Sequence, residues 1–436
     1  MKFSKLSQLA LVSAIGLIVA TLLTACQLVT IDYVFVAASA GGGTDSGNGS
    51  ASQSAGQIYG YATDAQSGAI RSAVPVVSSG GTVPVAMAIT SDYLNLYVAN
   101  QGNKTVVHFP IADDGTLTQK DSVTLPSTPV SLAVNAANTY LYVVSYAPSS
   151  TTNSATLTEY PLSSGTIGSA AATISLSLNC SGAAGSPSYP TDVIIPTGVT
   201  VLANNDAVFV TAYDQSAYNP GGSTSSNANP GWVFGFSVGS SGALSPAAKD
   251  CPITATTYQP YDVYQAGIKP SALAADPTSR FVYVTDYASN QLIGYEVLST
   301  NALNFLINGP FRTGNEPTSI VIDPRGLYIY VTNSLDNSVS AYAITLSTGA
   351  PSTVVNSTST ASNATDTEPV SVTIEPSLGR FVYTANHLGN SLSGFRLNPS
   401  TGSLSATQAT PYPTGANPTA VIAVPHGNHA TQSVTP

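Results

Sequence analysis

Nine polar side chains carry most of the chemistry this sequence offers. Glu316, Glu368, Asp286 and His387 can take up or release a proton, and are the candidate catalytic groups. Lys269, Arg312, Asn333, Asn386 and Asn417 supply cations and amides able to hold a substrate oxygen or an acidic group. A base that activates water, beside a fixed cation that polarises a carbonyl, is the chemistry such a set would perform. Their placement is regular. Lys269, Glu316, Glu368 and Asn417 each stand immediately before a proline, while Asp286, Asn333 and Asn386 end a short apolar segment and His387 follows the last of these. Arg312 lies just upstream of Glu316.

The elements that must position these residues are repeats. A short aromatic and β-branched segment occurs seven times, at 33–38, 95–100, 140–145, 207–212, 281–286, 328–333 and 381–386. Its composition is that of a strand, and turn formers follow each copy. A second segment with an aromatic near its end follows every copy, as in 104–111, 290–297 and 390–397, and a weaker fourth strand comes next. A third segment precedes the first and opens on a proline: Pro84, Pro129, Pro196, Pro270, Pro317, Pro369 and Pro418. From five of these prolines to the aligned aromatic the interval is 13 residues (Pro270 to Tyr283, for example), and from Pro369 to Tyr383 it is 14. Proline is tolerated at the start of a strand, where no ladder donor is needed.

The two ends of the chain complete each other. The copy at 33–38 has no proline strand before it, and the proline strand at Pro418 has no copy after it. A closed all-β ring follows, a seven-bladed β-propeller of four-stranded antiparallel blades in which the C-terminal strand completes the first blade. Closure removes the sheet edges that an open stack would expose. In such a ring the loop into the innermost strand and the loop after the second strand emerge on one face around the central channel. The nine residues above are therefore expected near one channel mouth.

Tyr330-Val331-Thr332-Asn333, preceded by the hairpin Asp323-Pro324-Arg325-Gly326, resembles the repeat of the YVTN-type, lactonase-like seven-bladed propellers, which include the 6-phosphogluconolactonase type. The resemblance covers the whole chain after the N-terminal segment. It implies a lactone hydrolase with its site at the channel mouth and no cofactor. Members of that family usually carry Pro-Arg-His before an inner strand and Val-Asn-Glu at the end of the next. The comparable places here read Lys269-Pro270-Ser271 and Val284-Thr285-Asp286.

The N-terminus gives an address. Lys2 and Lys5 precede an uncharged apolar run, and Leu23-Thr24-Ala25-Cys26 resembles a bacterial lipobox, so residues 1–25 are expected to be a lipoprotein signal peptide. Cys26 would then carry the lipid, with 26–31 a short tether, 32–425 the propeller and 426–436 a polar tail. Gln27 at the next position implies the outer membrane of the cell envelope. Cys180 and Cys251 remain, either as a disulfide or as two thiols. Ser39–Ala55, Pro148–Ser154, Gln215–Pro230 and Ser352–Thr367 are rich in Gly, Ser, Thr and Asn and read as loops.

Composition narrows the function further. Only 8% of the 436 residues are charged and the net charge is −10, which leaves no basic face for nucleic acid. His426 and His429 have metal-ligand spacing, but no third ligand accompanies them and no metal is expected. His108 and Trp232 fall inside blade strands and read as packing residues. Two functions fit: a lipid-anchored, monomeric scaffold that binds a glycan, a small molecule or an envelope protein, and, alternatively, a hydrolase of sugar lactones.

Overall fold

In the computed structural model the described residues are 29–39, 55–148, 151–178, 193–218, 230–239, 242–244, 251–252, 262–356 and 359–427. They form seven antiparallel sheets and no α-helix. The segment 1–25, Cys26, Cys180 and His429 lie outside them.

Blade 1 runs outward through Pro418–Pro425, Thr30–Ser39, Ala55–Asp64 and Ile70–Thr82. Its innermost strand comes from the other end of the chain. Val36 pairs with Val421 and Val34 with Ala423, so the ring is closed by hydrogen bonds within one sheet. The strand begins at Thr30, two residues before the expected propeller boundary. Blades 2 to 7 open on Pro84–Ile89, Thr128–Val134, Ile194–Val201, Pro270–Ala275, Pro317–Ile322 and Pro369–Ile374. Their second strands are Asn95–Asn100, Tyr140–Tyr146, Ala207–Asp214, Phe281–Asp286, Tyr328–Asn333 and Phe381–Asn386. One stretch read as a loop is partly strand: Pro351–Val354 and Ser362–Ala364 both pair with Ser338–Ile344, each covering a different half of it. Cys251 sits in a two-residue segment that pairs in parallel with the outer strand of blade 4.

The conserved-looking spacing has a local cause. In every blade the ladder between the first two strands shifts by one residue just after the proline, as between Pro317 and Ser319 opposite Asn333 and Thr332. The proline therefore sits at a bulge, which is why it is tolerated in blades 3 and 4 even though the strand starts before it. Hydroxyls one residue after the proline use this opening to tie adjacent blades. Ser271 Oγ donates to Pro317 O at 2.6 Å, Thr318 Oγ1 to Pro369 O at 2.8 Å and Thr419 Oγ1 to Pro84 O at 2.7 Å.

The core lies between blades, where two sheet faces meet. Tyr328, Tyr330, Val339 and Ala341 of blade 6 pack with Val372, Val382, Phe395 and Leu404 of blade 7. Burying each such side chain contributes on the order of 1.5–3 kcal/mol. The motif tyrosine also carries a polar tie: Tyr97, Tyr283, Tyr330 and Tyr383 donate to the carbonyls of Gly165, Gly349, Gly402 and Gly68, each in the outer hairpin of the next blade. Tyr142 does the same to Gly242. Trp232 is buried in the cluster between blades 3 and 4, in agreement with a packing role.

Candidate functional site at the channel mouth

The innermost strands of all seven blades line a central cavity of about 420 Å³. At one end each blade contributes two residues: the one before the bulge proline and its partner at or just past the end of the second strand. The backbone joins them. The N–H of Gln101 donates to Val83 O (2.8 Å), Tyr287 to Lys269 O (2.9 Å), Ser334 to Glu316 O (2.9 Å), His387 to Glu368 O (2.7 Å) and Ser39 to Asn417 O (3.4 Å). In blades 3 and 4 the equivalent partners are Thr128 with Tyr146 and Ile195 with Tyr213. Going round the mouth from blade 1, the second member reads Ser39, Gln101, Tyr146, Tyr213, Tyr287, Ser334, His387.

Glu316, Glu368 and Asn417 adopt left-handed backbone conformations, with φ of 54°, 57° and 51°. Such a conformation is uncommon for residues with a side chain and persists only where neighbours hold it. The holder is the same each time. The amides of Glu316, Glu368 and Asn417 donate to the side-chain oxygens of Asn290, Asn337 and Asn390 in the blade before, each at 2.8 Å. These asparagines escape a search for reactive groups, although each falls four residues after Asp286, Asn333 or Asn386.

Lys269 lies among tyrosines. Its Nζ is 4.8 Å from the ring centroid of Tyr287, 5.4 Å from Tyr218 and 5.7 Å from Tyr213. An ammonium over aromatic faces is held by the ring quadrupoles while its N–H groups stay available. The ion pairs among the described residues lie elsewhere, at His108–Asp121, Arg280–Asp276 and Arg325–Asp323. Tyr287 links the cation to the acids. Its ring lies beneath Lys269, and Glu316 is near enough to its hydroxyl to raise it. Burial, then the hydrogen bond and charge of Glu316, with smaller contributions from Tyr218 and Glu368, push the Tyr287 hydroxyl up to about 12. Tyr287 therefore remains a proton donor at neutral pH. Ser334 Oγ donates to Glu316 O at 3.0 Å, and its distance to Glu316 Oε2 is 3.4 Å.

The other sequence candidates are placed differently. Asp286 is fully buried beneath the rim. Its oxygens accept the amides of Ile268, Lys269 and Ala288 and the side chain of Gln291, at 2.9 to 3.2 Å. It thus builds the loop that presents Lys269 instead of facing the channel. Asn386 is equally buried and donates to Ser391 and Ser393 at 3.0 Å, while Asn333 donates to Ser338 and Ser340. The physical reason is common to all three: they end a strand, where a short polar side chain satisfies the backbone and hydroxyls of the following turn. Arg312 is exposed on an outer strand of blade 5, paired with Gln291. His387 belongs to the mouth; its Nδ1 lies 3.2 Å from Pro418 O, a carbonyl that can only accept, so that nitrogen is the donor. His426 packs on Tyr33, with ring centroids 5.2 Å apart. His108 is buried between Asp121 and Asn95.

Of the sequence candidates, the structure thus brings Lys269, Glu316, Glu368, His387 and Asn417 to the mouth, together with Tyr146, Tyr213 and Tyr287, which sequence reasoning did not single out. The signal was there: each lies seventeen residues after its proline. Tyrosine is so frequent in blade packing that identity alone does not single them out.

Among solved structures, the chain is similar to the periplasmic gluconolactonase of Pseudomonas aeruginosa, with 17% identity, a TM-score of 0.65, and 91% of this chain and 99% of that one covered. A candidate 6-phosphogluconolactonase of Bacteroides fragilis gives 15% identity, a TM-score of 0.65 and coverage of 91% and 98%. At these identities the likeness shows the fold. A search of curated protein sequences returns no match. The profile of the family described as lactonase, seven-bladed beta-propeller, matches residues 42–186 and 196–429, most of the chain. The closed ring and this match together establish that the chain belongs to the seven-bladed β-propeller lactonase family.

Proposed function

We propose that the protein hydrolyses a sugar lactone at the channel mouth. The observation that carries this reading is the company of Tyr287: Lys269 lies over its ring, and Glu316 is near enough to raise its hydroxyl. Lys269 donates to the lactone carbonyl and stabilises the oxyanion that forms there. Glu316 accepts a proton from water, whose oxygen bonds to the carbonyl carbon. The carbon–oxygen bond of the ring then breaks, and the leaving oxygen takes the proton back, with Tyr287 as the adjoining donor. One lactone and one water give one hydroxy acid. Family membership supports the same reading.

Hydrolysis of glucono-1,5-lactone by the purified full chain, followed as acid release, is the test. Glu316→Gln and Lys269→Met should each lower kcat by about 10²-fold or more with folding intact. Absence of hydrolysis, or rates unchanged in both variants, returns the propeller to the scaffold reading. The lipobox-like Leu23–Cys26 supports a second proposal, export and lipid anchoring through Cys26 in the cell envelope. Incorporation of labelled fatty acid that is lost in Cys26→Ser would bear it out.

A further inference from the structure

Resting on the hydrolase reading, we propose that the mouth takes lactones of unphosphorylated sugars and turns away sugar-phosphate lactones. The two solved structures compared above point to both substrate classes with equal TM-scores, so the likeness does not choose between them. The charges and free donors at the mouth do.

A phosphate monoester carries about −1.5 to −2 charges near neutral pH and is held by cations, by helix N-termini or by converging backbone N–H groups. Lys269 is the one lysine or arginine among the fourteen mouth residues, all of which are described. In the proposed reaction it is committed to the lactone carbonyl. The two acids, Glu316 and Glu368, both act on Tyr287, the ring under that same Lys269, so the charged side of the mouth is net negative. Blades 1 to 4 present Asn417, Ser39, Val83, Gln101, Thr128, Tyr146, Ile195 and Tyr213, none of them a cation. Lys104 is exposed in the turn of blade 2 at the position that Asn290 holds in blade 5, and Arg312 is exposed on an outer strand of blade 5; neither is among the fourteen.

The backbone offers no substitute. The described residues contain no α-helix. Nine of the fourteen mouth amides are also spent, and so is that of Ile268 beside them. Those of Tyr287, Ser334, His387, Gln101 and Ser39 go to the carbonyls before the prolines. Those of Glu316, Glu368 and Asn417 go to Asn290, Asn337 and Asn390, and those of Ile268 and Lys269 to Asp286. A phosphate brought here would meet two carboxylates and, among the fourteen residues, Lys269 alone as a counter-charge. A sugar hydroxyl meets acceptors and hydroxyls.

The experiment compares kcat/KM of the full chain on glucono-1,5-lactone and on its 6-phosphate, at low and at moderate salt. We expect the unphosphorylated lactone to be favoured by at least about tenfold at low salt, with the ratio falling as salt screens the carboxylates. Glu368→Gln should move the ratio several-fold toward the phosphorylated substrate even if both rates change. A ratio at or below one overturns this inference and leaves lactone hydrolysis standing. A ratio that neither salt nor Glu368→Gln alters overturns its electrostatic basis. Hydrolysis of neither compound overturns the hydrolase reading and this inference with it.

Discussion

The hydroxyl of Tyr330 in blade 6 donates to the carbonyl of Gly402 in blade 7 at 2.8 Å, across the buried seam between two sheets. The same tie recurs from four other blades, so the tyrosine of the repeat motif is a fastener between neighbours. Tyr330→Phe removes the donor, keeps the ring and leaves one carbonyl unmet. It should cost about 1 kcal/mol, measured by urea unfolding, whereas Tyr330→Ala should cost about 3–5 kcal/mol by opening a cavity. Phe35 and Phe209 occupy the same place in blades 1 and 4, which is why the ring alone is expected to be tolerated.

Gly402 is the other half of that tie. Its φ is 73°, and a Cβ there would lie 2.2 Å from the Tyr328 ring. Gly402→Ala should destabilise the protein by about 2–4 kcal/mol, because strain and collision add. A melting temperature equal to that of the native protein would contradict the packing described.

Asp286 and Glu316 should respond oppositely to substitution. Asp286→Ala leaves the amides of Ile268 and Lys269 without acceptors and should cost about 2–4 kcal/mol. Glu316→Gln should leave stability within about 0.5 kcal/mol while lowering kcat by about 10²-fold or more. Parallel unfolding curves and initial rates separate the two roles.

At the far end of the channel, Asp32 and Glu375 are both fully buried across the seam between blades 1 and 7. Ser377 Oγ donates to Asp32 Oδ1 at 2.7 Å. Burial first, and then the charge of Glu375, hold the Asp32 carboxyl well above its ordinary range; burial likewise raises Glu375. A raised folded-state value means the contribution is fully present below the unfolded carboxyl range and is lost as pH rises through the folded value. Asp32→Asn, which mimics the protonated form, should therefore stabilise the protein at pH 8 by about 1–3 kcal/mol more than it does at pH 4. Equal effects at the two pH values would show that folding does not raise the Asp32 carboxyl.

Caging of Lys269 predicts that its ammonium stays placed without a carboxylate partner. Tyr287→Leu removes the closest ring and the hydroxyl beside Glu316 together, and should lower kcat more than it raises KM. Tyr287→Phe keeps the ring over which Lys269 lies, and should recover the part of the rate that depends on the cation. Steady-state kinetics of the two variants against the native chain distinguish them.

The ring itself was legible in the sequence. The interval from proline to aromatic, repeated blade after blade, follows from a bulge and a hairpin of fixed length, and these are local structures that depend on adjacent residues. The unpaired strands at the two ends of the chain required closure, and Val36 opposite Val421 is that closure. Because the repeat aligns equivalent positions, the residues before the prolines could be assigned to one mouth, and Lys269, Glu316 and Glu368 lie there. What the sequence could not decide is the company each side chain keeps. Asp286 and Glu316 are both acids at strand ends, yet one is buried against backbone amides and the other reaches Tyr287. Lys269 meets Tyr213 and Tyr218, from a different blade and some fifty residues earlier in the chain. Burial and neighbours across blades are properties of the assembled ring, and they decide which of several equivalent positions holds a reactive group and which only holds the fold together.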